Sequence, residues 1–318
     1  MRAGFGGAAW LAALSLFWIG GCRNSAVPSD AQRTTRTETH DRSPGPGELA
    51  LPLKAGSVRF AIIGDSGRGD QAQAEVAHQM IAWRDRFPFE FVVMLGDNIY
   101  PPHDANDFST KFEQPYRPLL DAGVTFHAAI GNHDLDSELN YGPFNMGGRR
   151  YYTFRRNEQR LEGLAGAGVR FFVLDSRALD PDQLAWLRDE LSRSGTDWKI
   201  CYLHHPIYTS GRYTTAARLL RLALEPILIN GDVDVVLSGH EHFYERVRPQ
   251  HGISYFISGG AGSLRKADIR RPSAIMARGF DTDFHFMMME ISGDTLYFQA
   301  ISRTGETIDA GEIKRVGK

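Results

Sequence analysis

Cysteine is nearly absent from this chain of 318 residues: Cys22 and Cys201 are the only two. A disulfide framework is thereby excluded, and stability must come from core packing. No charge of one sign dominates either. Lysine and arginine total 36 against 38 aspartates and glutamates, a formal net charge of −2. The whole-protein pull toward nucleic acid that a strongly basic chain exerts is missing, and no nucleic-acid partner is expected. Long apolar runs are lacking as well. The apolar stretch from Ala8 to Ile19 falls short of the roughly 20 residues that span a bilayer. No internal repeat or heptad pattern occurs. Ser66 and Ser238 both lie outside a Gly-x-Ser-x-Gly elbow, which argues against a phosphoserine enzyme.

Arg2, the short apolar stretch and the close Ile19-Gly20-Gly21-Cys22 have the order of an export signal. The close resembles a bacterial lipobox, which implies lipid attachment at Cys22. Residues 1–22 are then a lipoprotein signal, with the remainder exported and lipid-anchored to a membrane. The alternative is an ordinary signal peptide with an incidental cysteine. Residues 23–56, rich in Ser, Thr, Arg, Pro and Gly, show no periodicity and are expected to form a flexible tether. Residues 57–318 form the catalytic domain.

Within that domain, strand patterns recur over Val58–Ile63, Phe91–Leu95, Val124–Ile130, Tyr151–Arg155, Val169–Leu174, Trp198–Leu203, Val233–Leu237, Tyr255–Ile257, His285–Ile291 and Thr295–Ser302. Helices are expected over Gln71–Arg86 and from Pro181 to about Ser194 with Asp180 as N-cap. Phe108–Leu120 has helical spacing broken by Pro115 and Pro118. Strand-then-helix alternation followed by a strand-rich end predicts an α/β domain with mixed sheets.

Five segments place oxygen or nitrogen donors where strands should end: Gly64-Asp65-Ser66-Gly67, Gly96-Asp97-Asn98-Ile99-Tyr100, Gly131-Asn132-His133-Asp134, His204-His205-Pro206 and Gly239-His240-Glu241-His242. In α/β sheets ligands bind beyond the strands' carboxyl ends. His240 and His242 share one face of an extended segment, about 6.6 Å apart, a separation suited to two ions roughly 3.5–4 Å apart. His204 and His205 point to opposite faces, so one of them is a ligand.

The order and spelling of these segments resemble the metallophosphoesterase superfamily, and within it the purple acid phosphatases. Position 67 is Gly where the superfamily has a first-motif His. Tyr100, three residues after Asp97, matches the purple acid phosphatase Gly-Asp-x-x-Tyr. The resemblance covers Val58 to about Arg246 and implies a four-layer α-β-β-α sandwich of two mixed sheets. It implies Asp65, Tyr100 and His242 on one ion, Asn132, His204 and His240 on the other, and Asp97 shared. His133 faces the substrate. The ions implied are Fe(III) at the tyrosinate and Fe(II), Zn(II) or Mn(II) at the second position. With a trivalent and a divalent ion set against Asp65, Asp97, tyrosinate and a hydroxide, one net positive charge remains to attract a small phosphate ester. The activity implied is phosphate monoester hydrolysis with metal-bound hydroxide as nucleophile. A phosphodiesterase or nucleotide hydrolase of the same superfamily is the alternative, and a non-catalytic surface lipoprotein a third. Arg149, Arg150, Arg155 and Arg156 either add positive charge near the site or lie on solvated surface. No His occurs in 207–219 to protonate the leaving group, as one does in several purple acid phosphatases. His205 is a candidate neighbour of the site or has no role.

Overall fold

The structure is a computed structural model that describes residues 36–45, 47–156 and 168–316. Cys22, the signal and the first part of the expected tether lie outside the described residues.

Seven strands form each of two sheets. In chain order they are β1 (Arg36–Asp41), β2 (Val58–Ile63), β3 (Phe91–Met94), β4 (Thr125–Ala128), β5 (Tyr152–Arg156), β6 (Val169–Leu174), β7 (Trp198–Leu203), β8 (Val235–Ser238), β9 (Tyr244–Gln250), β10 (Ile253–Ser258), β11 (Met276–Phe280), β12 (His285–Ser292), β13 (Thr295–Ser302) and β14 (Thr307–Val316). The first sheet runs β1-β14-β13-β12-β2-β3-β4 and the second β11-β9-β10-β8-β7-β6-β5. Strands β2, β3 and β4 are mutually parallel, as are β6, β7, β8 and β10. Antiparallel strands complete both sheets, so both are mixed, as expected.

The apolar alternation along the second sheet shows how the layers stack. Phe171, Val173, Ile200, Tyr202, Val235 and Leu237 join the core shared with the first sheet. Their neighbours Phe172, Leu174, Cys201, Leu203 and Val236 turn to the other face. There they meet Leu187 and Leu191 of helix α3 (Pro181–Ser192) and Leu224, Ile227 and Leu228 of helix α4 (Thr214–Asn230). Period-2 burial on both faces is what a strand between two apolar layers requires. Helices α1 (Gln71–Arg84) and α2 (Gln114–Asp121) cover the first sheet through Val76, Met80, Tyr116 and Leu119. The result is the expected α-β-β-α sandwich.

Asp180 caps α3 as expected, accepting from Gln183 N at 2.8 Å. Pro115 accounts for the irregular helix before it. Having no N–H, proline makes no bond to the preceding turn. Ser109–Glu113 is a π-helical turn, with Gln114 N–H reaching back to Ser109 O before α2 begins.

Two differences from the sequence expectations are substantive. Residues 36–41, placed in the tether, instead pair as the edge strand β1 against β14, from Arg36↔Val316 to Asp41↔Gly311. Arg246 ties this strand inward, with Nη2 donating to Asp41 Oδ1 at 2.7 Å. The hydrophilic sequence RTETHD suits an edge strand, because polar residues block further pairing. The domain therefore begins no later than Arg36. Secondly, α4 fills a stretch where no helix is expected. Tyr213 supplies no side-chain cap and Pro226 lies inside α4, so the usual start signal is missing and a stop signal is misplaced. Burial of Ala217, Leu224, Ile227 and Leu228 outweighs both.

Among the described residues no helix is long and apolar enough to cross a membrane.

Candidate metal centre

Five parallel strands, three from one sheet and two from the other, end on the same spot. Asp65 follows β2, Asp97 follows β3, Asn132 follows β4, His204 follows β7 and His240 follows β8. The turns that deliver them are tight. Asp65, Asp97 and His240 themselves hold left-handed backbone, at φ 56°, 52° and 67°, a conformation non-glycine residues seldom adopt and one that clusters at functional sites. The glycines beside them serve mainly close approach. A Cβ on Gly131 would lie 2.3 Å from Asp97 Oδ1, and one on Gly239 would lie 2.5 Å from Asp65 Oδ2.

On one side of the cluster, Asp65 Oδ1 accepts from Tyr100 OH at 3.1 Å and lies 3.2 Å from His242 Nε2. Tyr100 OH and His242 Nε2 are 3.1 Å apart. On the other side, His204 Nε2 lies 3.1 Å from Asn132 Oδ1 and 3.2 Å from His240 Nδ1. Asp97 stands between the two groups, its Oδ1 3.3 Å from His204 Nε2 and accepting from His133 N at 2.9 Å. Its second oxygen, Oδ2, is buried without a hydrogen-bond partner. All seven expected ligands therefore converge.

The electrostatics are those of a site built for cations. Burial alone would raise the Asp97 carboxyl, but His204 and His133 beside it together outweigh burial and hold it well below the usual carboxylate range. Burial, then the charges of Asp65 and Asp97, push the Tyr100 phenol far above its ordinary value near 10. Only a cation at the oxygen would ionise it. Two buried carboxylates, one of them with an orphaned oxygen, three imidazoles, an amide oxygen and a phenol supply the hard oxygen and borderline nitrogen donors that iron, zinc and manganese accept. The residues present fit two such ions.

Gly67 explains the departure at the first motif. Its Cβ would lie 1.8 Å from Asn98 O and 2.6 Å from Ile99 Cα, and Tyr100 N donates to Gly67 O at 2.8 Å. The segment carrying Tyr100 therefore lies directly on position 67. A His there and a Tyr100 in this place exclude one another sterically.

Asp134, quoted in its motif without a role, clamps the two loops. Its carboxylate accepts from Asn98 N at 2.6 Å, Ile99 N at 3.0 Å and Gly131 N at 2.7 Å. His133 is half-buried, its ring 4.7 Å from that of Tyr100. His205 stays beside the cluster, where His204, His205 and His240 together present donor atoms close enough to hold an ion. Its Nδ1 lies 2.9 Å from Ser176 Oγ, with its ring 4.3 Å from His240. Burial, then His204, lowers it to about 4.

Three of the four arginines weighed for the site are committed elsewhere. Arg150 pairs with Asp175 and Asp180, Arg155 with Asp197, and Arg156 donates to His127 Nε2 at 2.8 Å. Arg265 reaches the metal centre, 3.4 Å from His242 Nε2, and Arg68 lies over the Tyr100 ring, 4.9 Å from its centroid. Arg265 belongs to no motif, and its approach is visible only in the folded chain.

Residues 58–244 match the calcineurin-like phosphoesterase family. Rat tartrate-resistant acid phosphatase type 5 is 24% identical over 298 residues, covering 80% of this chain and 89% of the relative. Purple acid phosphatase 7 of Arabidopsis thaliana is 28% identical over 248 residues, covering 68% and 74%. Among solved structures, GAP50, the anchor in the inner membrane complex of Plasmodium, superposes with a TM-score of 0.71 at 19% identity, covering 81% of this chain and 89% of that one. The purple acid phosphatase PPD1 from yellow lupin seeds gives 0.63 at 18%, covering 85% and 55%. At such identities the structures speak for the shared fold. The family match spans more than half of the sequence and takes in the whole Gly239-His240-Glu241-His242 segment, and on that ground this chain belongs to the calcineurin-like phosphoesterase family.

Proposed function

We propose that this chain is a two-metal hydrolase of phosphate monoesters of the purple acid phosphatase type. The observation that carries it is the orphaned Asp97 Oδ2, buried between two donor groups. Asp65, Tyr100 and His242 would hold Fe(III), while Asn132, His204 and His240 would hold Fe(II), Zn(II) or Mn(II), with Asp97 shared. A relative in Arabidopsis thaliana is named as an Fe(3+)-Zn(2+) purple acid phosphatase, in keeping with that pairing. When bound, the ions supply Lewis acidity toward the phosphoryl group and toward water.

The chain's own groups do the positioning. His204 Nδ1 donates to Leu95 O at 2.9 Å, presenting Nε2 to the cluster. His133 is fixed through its backbone N–H on Asp97, and its imidazole is assigned to a phosphoryl oxygen of the ester. The intact donor set speaks against a purely non-catalytic role. We further propose that the chain is exported and anchored to a bacterial membrane by lipid on Cys22, with the catalytic domain outside the cytoplasm.

The test is hydrolysis of an aryl phosphate by the metal-loaded chain, with Asp97→Ala as control. Activity should vanish in the variant together with both ions. Full activity in Asp97→Ala, or none in the metal-replete parent, sinks the proposal.

A further inference from the structure

The loop after β10 roots one arginine at the edge of the metal centre. Arg265 N donates to His242 O at 3.1 Å and Nη1 to His240 O at 3.2 Å. The guanidinium carbon lies 5.5 Å from the centroid of the Tyr213 ring, and that ring is itself 4.3 Å from the ring of His240. The side chain keeps 22% of its surface exposed, so it borders solvent at the mouth of the site. The neighbouring carboxylate, Glu241, stays 4.0 Å away. Its Oε1 accepts from Thr209 Oγ1 and from the Tyr213 N–H, while Oε2, the oxygen nearest Arg265 Nη1, has no hydrogen-bond partner among the described residues.

Among the described residues, the hydrogen-bond partner of Arg265 Nη2 is His242 Nε2 at 3.4 Å. That contact uses the lone pair an ion on His242 requires, so metal loading deprives Nη2 of its acceptor. A guanidinium N–H left unpaired in a half-buried position is costly. A phosphoryl oxygen is the acceptor that restores the bond, and the planar fork of arginine suits phosphate. The Tyr213 ring beside the guanidinium and the bond from Nη1 to His240 O hold the fork in place before the ester arrives, and the backbone bond to His242 O fixes the loop that carries it.

We propose that Arg265 is a substrate-binding residue of this site, donating to a phosphoryl oxygen of the bound ester, with Tyr213 as the aromatic wall that holds it there. The assignment rests on the two-metal site proposed above. It supplies a group that no motif reveals, 23 residues beyond His242.

The experiment is calorimetric titration of the metal-loaded full chain with inorganic phosphate, comparing the parent with Arg265→Met and Arg265→Lys. Arg265→Met should bind phosphate about 10- to 100-fold more weakly, the cost of losing one charged hydrogen-bond donor. Arg265→Lys should fall between the two, and both variants should keep their metal content. With an aryl phosphate, KM should rise by a similar factor and kcat should change less. Unchanged phosphate affinity in Arg265→Met overturns the assignment. Loss of metal from both variants also overturns it, since Arg265 would then be holding the histidine loop. If the parent binds phosphate but hydrolyses no ester, the catalytic proposal fails while the phosphate titration still decides Arg265. A parent that binds no phosphate overturns both.

Discussion

His204 is locked by the carbonyl of Leu95. Nδ1 donates to Leu95 O at 2.9 Å across 109 residues of sequence, so the ring's other nitrogen, Nε2, is the one aimed at Asn132, His240 and Asp97. A hydrogen bond at one imidazole nitrogen sets which nitrogen is left to bind a metal.

Removing that ring separates the two ions. His204→Gln should lower occupancy of the second ion by at least about tenfold and leave iron bound at Tyr100. Metal analysis should then find about one ion per chain where the parent has two. Loss of both ions would place His204 at the shared position instead.

Tyr100 supplies the test of the first ion. Iron-loaded protein should be coloured by tyrosinate-to-Fe(III) charge transfer, and Tyr100→Phe should be colourless and hold iron more weakly. Phenylalanine keeps the ring's packing beside His133, so the colour reports the single oxygen. A colourless parent containing stoichiometric ferric iron would falsify tyrosinate ligation.

Gly67→Ala should destabilise the fold by about 1–3 kcal/mol, the usual range for overpacking. Its methyl group meets Asn98 O at 1.8 Å, and the segment leading to Tyr100 must move to admit it. Urea midpoints measure the loss, and weaker iron colour should accompany it. A variant as stable as the parent would show that the Asn98–Tyr100 turn yields freely.

Acid should weaken the fold through His127. Burial first, then Arg156, lower this imidazole to about 3, below the unfolded value near 6.5. Above pH 6.5 the ring is neutral in both states and its contribution is complete. As the pH falls below 6.5 the unfolded chain takes the proton first, so stability is lost progressively down to about pH 3. At pH 5 the loss is about 2 kcal/mol, from roughly 1.5 units at 1.36 kcal/mol each. His127→Phe keeps a ring against Phe154, now 4.2 Å away. Its stability should fall less between pH 7 and pH 5 by about that amount. An identical fall in both proteins would remove His127 from the account.

Cys22→Ser should release the protein from the membrane fraction. A single acyl chain binds only marginally, so stable anchoring requires more than one chain or signal. Failure of labelled fatty acid to enter the parent chain would rule out lipid attachment.

Much of the candidate site is legible in the sequence because its donors lie in short segments that follow strands. An apolar run ending in Gly-Asp, Gly-Asn-His-Asp or Gly-His-Glu-His is a local pattern, and the chain needs only short turns to form it. Strand β1 and helix α4 escape for the opposite reason. RTETHD becomes a strand only because β14 offers it an edge, and α4 stands on the apolar face of the second sheet without a capping side chain. Position 67 reads as a missing ligand in the sequence, whereas in the fold it is the surface on which Asn98 rests. Arg265 carries no signal at all, since its meaning comes from His242 in the turn after β8 and Tyr213 just before α4. The sequence by itself determined which donors exist and that each ends a strand. The tertiary structure alone decided that three strands of one sheet and two of the other end at one point, because pairing and packing between sheets join residues as distant in the chain as His240 and Asp65, 175 positions apart.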